Sequence, residues 1–119
     1  MTVYIKEAHP TDEWQMPANE RDSVCYAQPK TLEDRRAIAA DFVERFHYGM
    51  PLVVYTMENK AEEAYSAWPE RLYIIGADGH ILYKGLMGPR GFLPEEVDAV
   101  LRGLSQPLAI PAPAEPPAR

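Results

Sequence analysis

A chain of 119 residues, 46% hydrophobic and 25% charged, has the composition of one ordinary globular domain. Its net charge of −6 argues against nucleic acid or an anionic membrane surface as the main partner. The lone cysteine, Cys25, excludes an internal disulfide, so we expect a reducing compartment, the cytoplasm. No apolar run approaches the ~20 residues of a membrane span.

The first quarter of the chain predicts one strand and a long excursion. Residues 3–6 are β-branched and aromatic, which predicts a strand that runs into Glu7 and His9. Prolines interrupt the polar stretch 11–30, but it contains Trp14, so we expect an ordered excursion over the sheet. Because only two residues precede the strand, we expect the chain to begin inside its own sheet.

A helix and a second strand are predicted to follow. Thr31 is a suitable N-cap, and Gly49 suits the left-handed residue that stops a helix. Apolar residues between them recur at spacings of three and four, which predicts one buried stripe: Ile38, Ala39, Phe42, Val43 and Phe46. Residues 51–55 predict a strand, and Asn59 with Glu62 resembles a capping box that opens a short helix.

A hairpin and a last helix are predicted in the remaining part of the domain. Residues 71–75 and 80–84 flank a turn that contains Asp78 and Gly79, a pair typical of tight hairpins. Pro94 suits the first position of the last helix. The predicted buried face of that helix consists of Val97, Val100, Leu101 and Leu104.

The order of these elements predicts the fold class. A parallel crossover, a hairpin and a closing helix form the thioredoxin-like plan, an α/β fold of three layers. We predict this plan over residues 1–104, truncated at its N-terminus. The first core strand, in the middle of the sheet, and the nucleophile after it are expected to be missing. Residues 105–119 contain five prolines and are predicted to form a disordered tail.

Glu7 and His9 are the best candidates for chemistry. They are two residues apart in an extended segment, so their side chains are expected on one face. They follow a strand, and ligand sites of open α/β sheets collect at the carboxyl ends of strands. A carboxylate beside an imidazole favours the imidazolium, which would make His9 a proton donor near neutral pH. Alternatively, His9 and Pro10 merely end a strand, and Glu7 is solvated.

The other candidates have simpler interpretations. His47 and His80 are expected to be structural or exposed, and Cys25 is expected to be inert. Three scattered histidines do not have the spacing of metal ligands, so we predict no metal site. The loop 85–92 either binds a ligand or is a turn that delivers Phe92 to the core. The Trp68–Pro69 bond is as compatible with cis as with trans.

Several blocks of sequence resemble the iodothyronine deiodinases. The segment VYIKEAHPTDEW, residues 3–14, resembles the EAHP-containing strand of that family, and TLEDR, residues 31–35, resembles its LEDR helix start. Further blocks match in the same order, at residues 57–59, 65–67, 70–75, 83–85 and 88–92. The similarity covers residues 3 to about 104, and it is greater to the bacterial members than to the animal enzymes.

The resemblance implies a thioredoxin fold and the reductive removal of iodine from aromatic rings of thyroid hormones. The family uses a selenocysteine or cysteine upstream of the EAHP strand, and that residue has no counterpart here. Glu7 and His9 match the family's acid and histidine. We expect Trp14, Arg90 and Phe92 to bind the substrate. An external thiol is the expected reductant, and no resident cofactor is implied.

Two positions depart from the family pattern. The second histidine of the family's active site, just before the LEDR helix, corresponds to Pro29 here. The arginine of the glycine-rich loop that helps to hold the iodothyronine corresponds to Met87. The expected substrate is therefore a small aromatic or halogenated molecule rather than thyroid hormone itself.

Two hypotheses follow. The first is a bacterial, deiodinase-like oxidoreductase seen without its nucleophile, so that this chain alone is inactive. The second is a non-catalytic thioredoxin-like module that binds a partner through residues 14–26 and 85–92. A homodimer is compatible with both. The gene upstream of Met1 discriminates, because a frame that continues through a UGA or cysteine codon favours the first hypothesis.

Overall fold

The computed structural model describes residues 1–105, and the predicted tail from residue 106 onward lies outside them. The described residues form a mixed α/β arrangement. In chain order its elements are β1 (Thr2–Tyr4), α1 (Pro17–Arg21), α2 (Leu32–Arg45), β2 (Leu52–Val54), α3 (Lys60–Tyr65), β3 (Tyr73–Ile75), β4 (Ile81–Lys84) and α4 (Pro94–Ser105). The α/β class is confirmed. Helix α1 was not predicted, and α4 extends one residue beyond the predicted end of the domain.

Within residues 1–105 the strands pair as two sheets of two strands each. β1 runs parallel to β2 with Val3 opposite Val53, and β3 runs antiparallel to β4 with Ile74 opposite Tyr83. The predicted parallel crossover and the predicted hairpin are thus both present. The single three-layer sheet of the thioredoxin-like plan stays a prediction.

Both ends of α2 are defined by hydrogen bonds. Thr31 and Asp34 form a reciprocal capping box, in which each side chain accepts from the other residue's backbone N–H at 3.1 Å. At the other end, the Tyr48 N–H donates to the Val43 carbonyl, and His47 adopts a left-handed φ of 48°. The predicted N-cap is confirmed, but the left-handed residue that follows the helix is His47 instead of Gly49.

The apolar stripes of α2 and α4 are less buried than predicted. In α2 only Ala39 among the stripe residues is buried, and Phe46 is 51% exposed. In α4 no residue is buried, and Leu104 is 56% exposed. The prediction of buried faces is wrong here because periodicity identifies the apolar side of a helix, whereas burial requires a second element against that side. Among the described elements, the main helix–strand contact joins α2 to β2.

The most completely buried large side chain in the described part is a charged one. Arg35 of α2 is 1% exposed, and its Nη1 donates to the carbonyl oxygens of Tyr55 and Thr56, each at 3.0 Å. These carbonyls lie immediately after β2. Since a buried charge is costly unless it is hydrogen-bonded, this contact fixes where α2 crosses the end of β2.

The connecting segments confirm some predicted turns and correct another. Gly79 has a φ of 84° in the β3–β4 turn, and the Trp68–Pro69 bond is cis. Asn59 precedes α3, but its side chain makes no capping hydrogen bond, so the predicted capping box is wrong. None of the helices between residues 1 and 105 combines the length and the apolar character that crossing a bilayer requires.

We predict that Arg35→Met lowers the free energy of unfolding by about 2 kcal/mol, because the Tyr55 and Thr56 carbonyls lose a charged donor. The neighbouring Arg36 is exposed, so Arg36→Met is the matched control, with an expected change below about 0.5 kcal/mol. Urea denaturation followed by circular dichroism measures both. Equal losses in the two variants would contradict a special role for Arg35.

Candidate active site

The centre of the candidate site is a hydrogen bond between Tyr4 and Glu7. The Tyr4 hydroxyl donates to Oε1 of the Glu7 carboxylate at 2.5 Å. Burial, followed by this hydrogen bond and the negative charge of Glu7, raises the pKa of Tyr4 well above its ordinary value. The phenol therefore keeps its proton and holds one carboxylate oxygen in place. Sequence reasoning missed Tyr4, although its position three residues before Glu7 was visible.

The backbone of Glu7 is held by a side chain from the excursion. The Glu7 N–H donates to Oε1 of Gln28 at 3.0 Å, and Nε2 of Gln28 donates to the Glu7 carbonyl oxygen at 3.1 Å. The excursion is itself closed by a backbone bond from Thr11 N–H to the Tyr26 carbonyl at 2.8 Å. It is thus an ordered segment next to the end of β1. Its hydrogen bonds to the Glu7 backbone were not predicted from the sequence.

His9 has its own partners, separate from those of Glu7. Its Nδ1 lies 3.2 Å from the Trp14 carbonyl oxygen, and its ring meets the Trp14 indole edge-on with centroids 4.6 Å apart. Because a carbonyl oxygen only accepts, Nδ1 must carry the hydrogen. Nε2 is then the ring nitrogen that takes no part in this contact.

No ion pair or hydrogen bond joins Glu7 to His9 among the described residues. β1 ends at Tyr4, and the chain bends at Ala8 and His9, so the two-residue alternation of a strand does not extend to His9. The two residues are close in sequence but have different partners: Glu7 contacts Tyr4, and His9 contacts Trp14. The expected carboxylate–imidazole pair is not formed.

The predicted substrate-binding residues lie on two exposed loops. Trp14 is 71% exposed beside His9, whereas Arg90 and Phe92 are exposed on the loop before α4. Their loop is tightly packed: a Cβ at Gly88 would lie 2.1 Å from Oε1 of Glu70. Since Phe92 is 39% exposed, the loop does not deliver it to the core. Trp14 contacts His9. Among the described residues, no hydrogen bond joins Arg90 to Glu7 or to Tyr4.

A shallow groove adjoins the site. Its volume is about 490 Å³, and it is open to solvent. It lies between the end of the excursion and the first half of α2, and it is lined by residues that include Tyr26, Gln28, Pro29, Lys30 and Ile38. Gln28 lines this groove and also binds the Glu7 backbone, so the groove and the site share a residue.

Lys6 connects the site to the second half of the chain. Its Nζ lies 3.1 Å from Oε1 of Glu62 in α3 and 5.8 Å from the ring centroid of Trp68. Cys25 makes its hydrogen bond elsewhere: its thiol is exposed and donates to the Asn19 carbonyl at 3.6 Å. The geometry therefore gives Cys25 no contact with Tyr4 or Glu7.

Comparison with known proteins identifies the class. The sequence model of iodothyronine deiodinase matches residues 1–105. The chain is 42% identical over 101 residues to a type I iodothyronine deiodinase of Xenopus laevis, which covers 85% of this chain and 38% of that protein. It is 37% identical over 113 residues to a thyroxine 5-deiodinase of Bos taurus, which covers 95% of this chain and 36% of that protein. The chain belongs to the iodothyronine deiodinase family.

Other relatives are similar in the same way. The human thyroxine 5-deiodinase is 38% identical over 97 residues, which cover 82% of this chain and 30% of that protein. The chain spans less than two-fifths of the length of these curated relatives, all of them vertebrate proteins. The expected greater sequence similarity to bacterial members of the family stays a prediction.

We predict that Tyr4 keeps its proton well above the pH at which a tyrosine phenol ordinarily titrates, because its pKa is raised. Glu7→Gln should lower the pKa of Tyr4, because a neutral amide removes the negative charge, yet burial should keep that pKa above the ordinary value. Titration of ¹³Cζ-labelled tyrosine by NMR measures both. The exposed Glu13→Gln serves as control and should leave Tyr4 unchanged. Titration of Tyr4 at the ordinary pKa of a tyrosine phenol would contradict the raised pKa that its burial and its contact with Glu7 imply.

Proposed function

We propose that this chain provides the proton-handling part of a deiodinase-like oxidoreductase. The observation that carries the proposal is the set of contacts after β1: Tyr4 bonded to Glu7, and His9 bonded to Trp14 through Nδ1. Membership of a family whose named relatives are deiodinases supports reductive dehalogenation as the reaction. The substrate class is a small iodinated or otherwise halogenated aromatic compound.

In the proposed reaction a selenolate or thiolate attacks the halogen of the substrate. The chalcogen–halogen bond forms, the carbon–halogen bond breaks, and the ring carbon takes up a proton. Two equivalents of an external thiol then restore the chalcogenolate, release halide and leave one disulfide. No resident cofactor is required. The family's nucleophile precedes its EAHP strand, so the test below supplies it on a joined segment.

His9 is the proposed donor of the proton to the ring carbon. Its Nδ1 is occupied by the Trp14 carbonyl, so the transferable proton sits on Nε2. Glu7 is the proposed acid–base partner that returns protons to the site, and the Tyr4 hydroxyl keeps its carboxylate oriented. Trp14 offers an exposed indole face on which an aromatic ring can stack.

The proposed fold extends the observed sheets. β1–β2 and β3–β4 would join through one more strand paired with β1 on one side and β3 on the other, in the thioredoxin-like order β2–β1–strand–β3–β4. The parallel crossover, the hairpin and the following α4 support this order. We further propose a reducing, cytoplasmic setting, supported by one exposed free thiol, Cys25. Assembly as a homodimer belongs to the same proposal.

A second candidate function is a non-catalytic binding module. The observation that favours it is the exposure of large apolar side chains on both loops, with Trp14 71% and Leu86 74% exposed. Pro29 and Met87, which stand where the family has a histidine and an arginine, are consistent with lost thyroid hormone binding. The module hypothesis predicts that variants of these loops weaken partner binding, while His9 has no kinetic effect.

The test uses this chain joined to a segment that bears the family's cysteine or selenocysteine, with a halogenated phenol as substrate and dithiothreitol as reductant. We predict that His9→Ala reduces kcat for halide release by ~10²–10⁴-fold, the usual contribution of a general acid. The melting temperature should change little. His47→Ala and His80→Ala are matched controls, because neither residue contacts the site. Unchanged turnover in a folded His9→Ala protein would reject the proton-donor role.

A separate prediction concerns Trp14 in the same fusion protein. Trp14→Ala should raise KM by ~10-fold, as expected for the loss of ring stacking and of apolar contact. The effect on kcat should be smaller than that of His9→Ala, since the Trp14 carbonyl that binds His9 belongs to the backbone and is retained. Initial-rate kinetics separate the two constants. A fall in kcat as large as that of His9→Ala, with KM unchanged, would place Trp14 outside substrate binding.

A further inference from the structure

Glu7 lies beyond the paired part of β1, so its backbone cannot be positioned by the strand ladder. The last ladder bond at this end runs from the Tyr55 N–H to the Tyr4 carbonyl at 2.9 Å. Three residues later, both polar backbone groups of Glu7 are satisfied by the side chain of Gln28 instead. That amide takes the place of the neighbouring strand's peptide group.

An amide side chain can serve both backbone groups at once, because it carries an acceptor and a donor. The carboxamide of glutamine presents one carbonyl oxygen and one NH₂ group side by side, which matches an outward N–H and C=O of the same residue. An ionised glutamate can only accept, and a lysine can only donate. The pair of bonds, at 3.0 and 3.1 Å, therefore requires a side chain at position 28 that carries both a donor and an acceptor.

Gln28 is itself held in place. Its backbone N–H donates to Oδ1 of Asp12 at 2.8 Å, and the next residue, Pro29, is buried. The φ of proline is restricted to about −65°, which limits the freedom of the chain just after Gln28. The side chain thus extends toward Glu7 from an anchored backbone, although 21 residues separate the two along the chain.

We propose that Gln28 is a positioning residue for Glu7: its carboxamide fixes the Glu7 backbone so that the carboxylate meets the Tyr4 hydroxyl. The inference rests on the proposed function, because Glu7 is there an acid–base group. Catalytic side chains generally need placement within about 0.5 Å of the working geometry. The two Gln28 bonds hold the backbone of the residue whose carboxylate accepts from the Tyr4 hydroxyl.

The first test measures amide hydrogen exchange by NMR on the 119-residue chain. Gln28→Met removes both bonds and should accelerate exchange of the Glu7 amide by ~10-fold or more, while the Tyr55 amide in the ladder changes less than ~2-fold. Gln28→Glu keeps the acceptor for the Glu7 N–H, so its exchange should rise by less than ~3-fold. Gln15→Met is the control, because no hydrogen bond joins Gln15 to Glu7.

A second readout follows the side chain that Gln28 is proposed to place. Gln28→Met should shift the titration of Tyr4 to lower pH, because a displaced carboxylate no longer raises the pKa of the phenol as strongly. The Gln15→Met control should leave that titration where it is. A variant that merely loosens the fold would instead accelerate Tyr55 and Glu7 exchange equally.

The outcomes distinguish this inference from the proposed function. Unchanged Glu7 exchange in Gln28→Met, or equal acceleration at Tyr55, overturns the positioning role. If Gln28→Met does not fold, a scalar coupling across the hydrogen bond from Glu7 ¹⁵N to Gln28 ¹³Cδ in the unaltered chain decides, and its absence also overturns it. Faster exchange at Glu7 alone supports the positioning role even where the fusion protein proves inactive, a result that would reject only the proposed function.

Discussion

The hydrogen bonds of the buried Arg35 guanidinium hold together the part of the structure that carries the site. A cation that is 1% exposed needs acceptors, and the carbonyls of Tyr55 and Thr56 at the end of β2 supply them. Tyr55 in turn donates its N–H to the Tyr4 carbonyl, which aligns β1 with β2. The Tyr4 hydroxyl then reaches Glu7. Helix, strands and candidate acid are thereby linked by consecutive hydrogen bonds.

The candidate site combines short-range and long-range contacts. Tyr4, Glu7, His9 and Trp14 lie within one segment, whereas Gln28 comes from the far end of the excursion and closes it against the Glu7 backbone. This arrangement explains how a stretch with little regular structure, which holds only the short helix α1, can present a defined set of polar groups. The vertebrate relatives of this chain are named as deiodinases, which supports the proposed function of that set.

Several parts of the fold could be predicted because their signals are local. The Thr31 cap, the turn at Gly79 and the parallel crossover all depend on residues close in sequence or on strand order. The buried faces of α2 and α4 could not, because burial depends on what lies against a helix. Nor could the end of α2, where the Tyr48 N–H reached the Val43 carbonyl and placed the left-handed residue at His47 ahead of the glycine.

The sequence by itself determined the α/β class, the family, and Glu7 and His9 as the residues to examine, because composition, element order and motifs are properties of the chain alone. Only the tertiary structure decided their partners. The Tyr4 hydroxyl, and not His9, lies beside the Glu7 carboxylate. β1 ends at Tyr4, so the alternation of side chains along the strand does not extend to Glu7 and His9. Gln28 became part of the site because the excursion folds back on β1, a contact that no local pattern encodes.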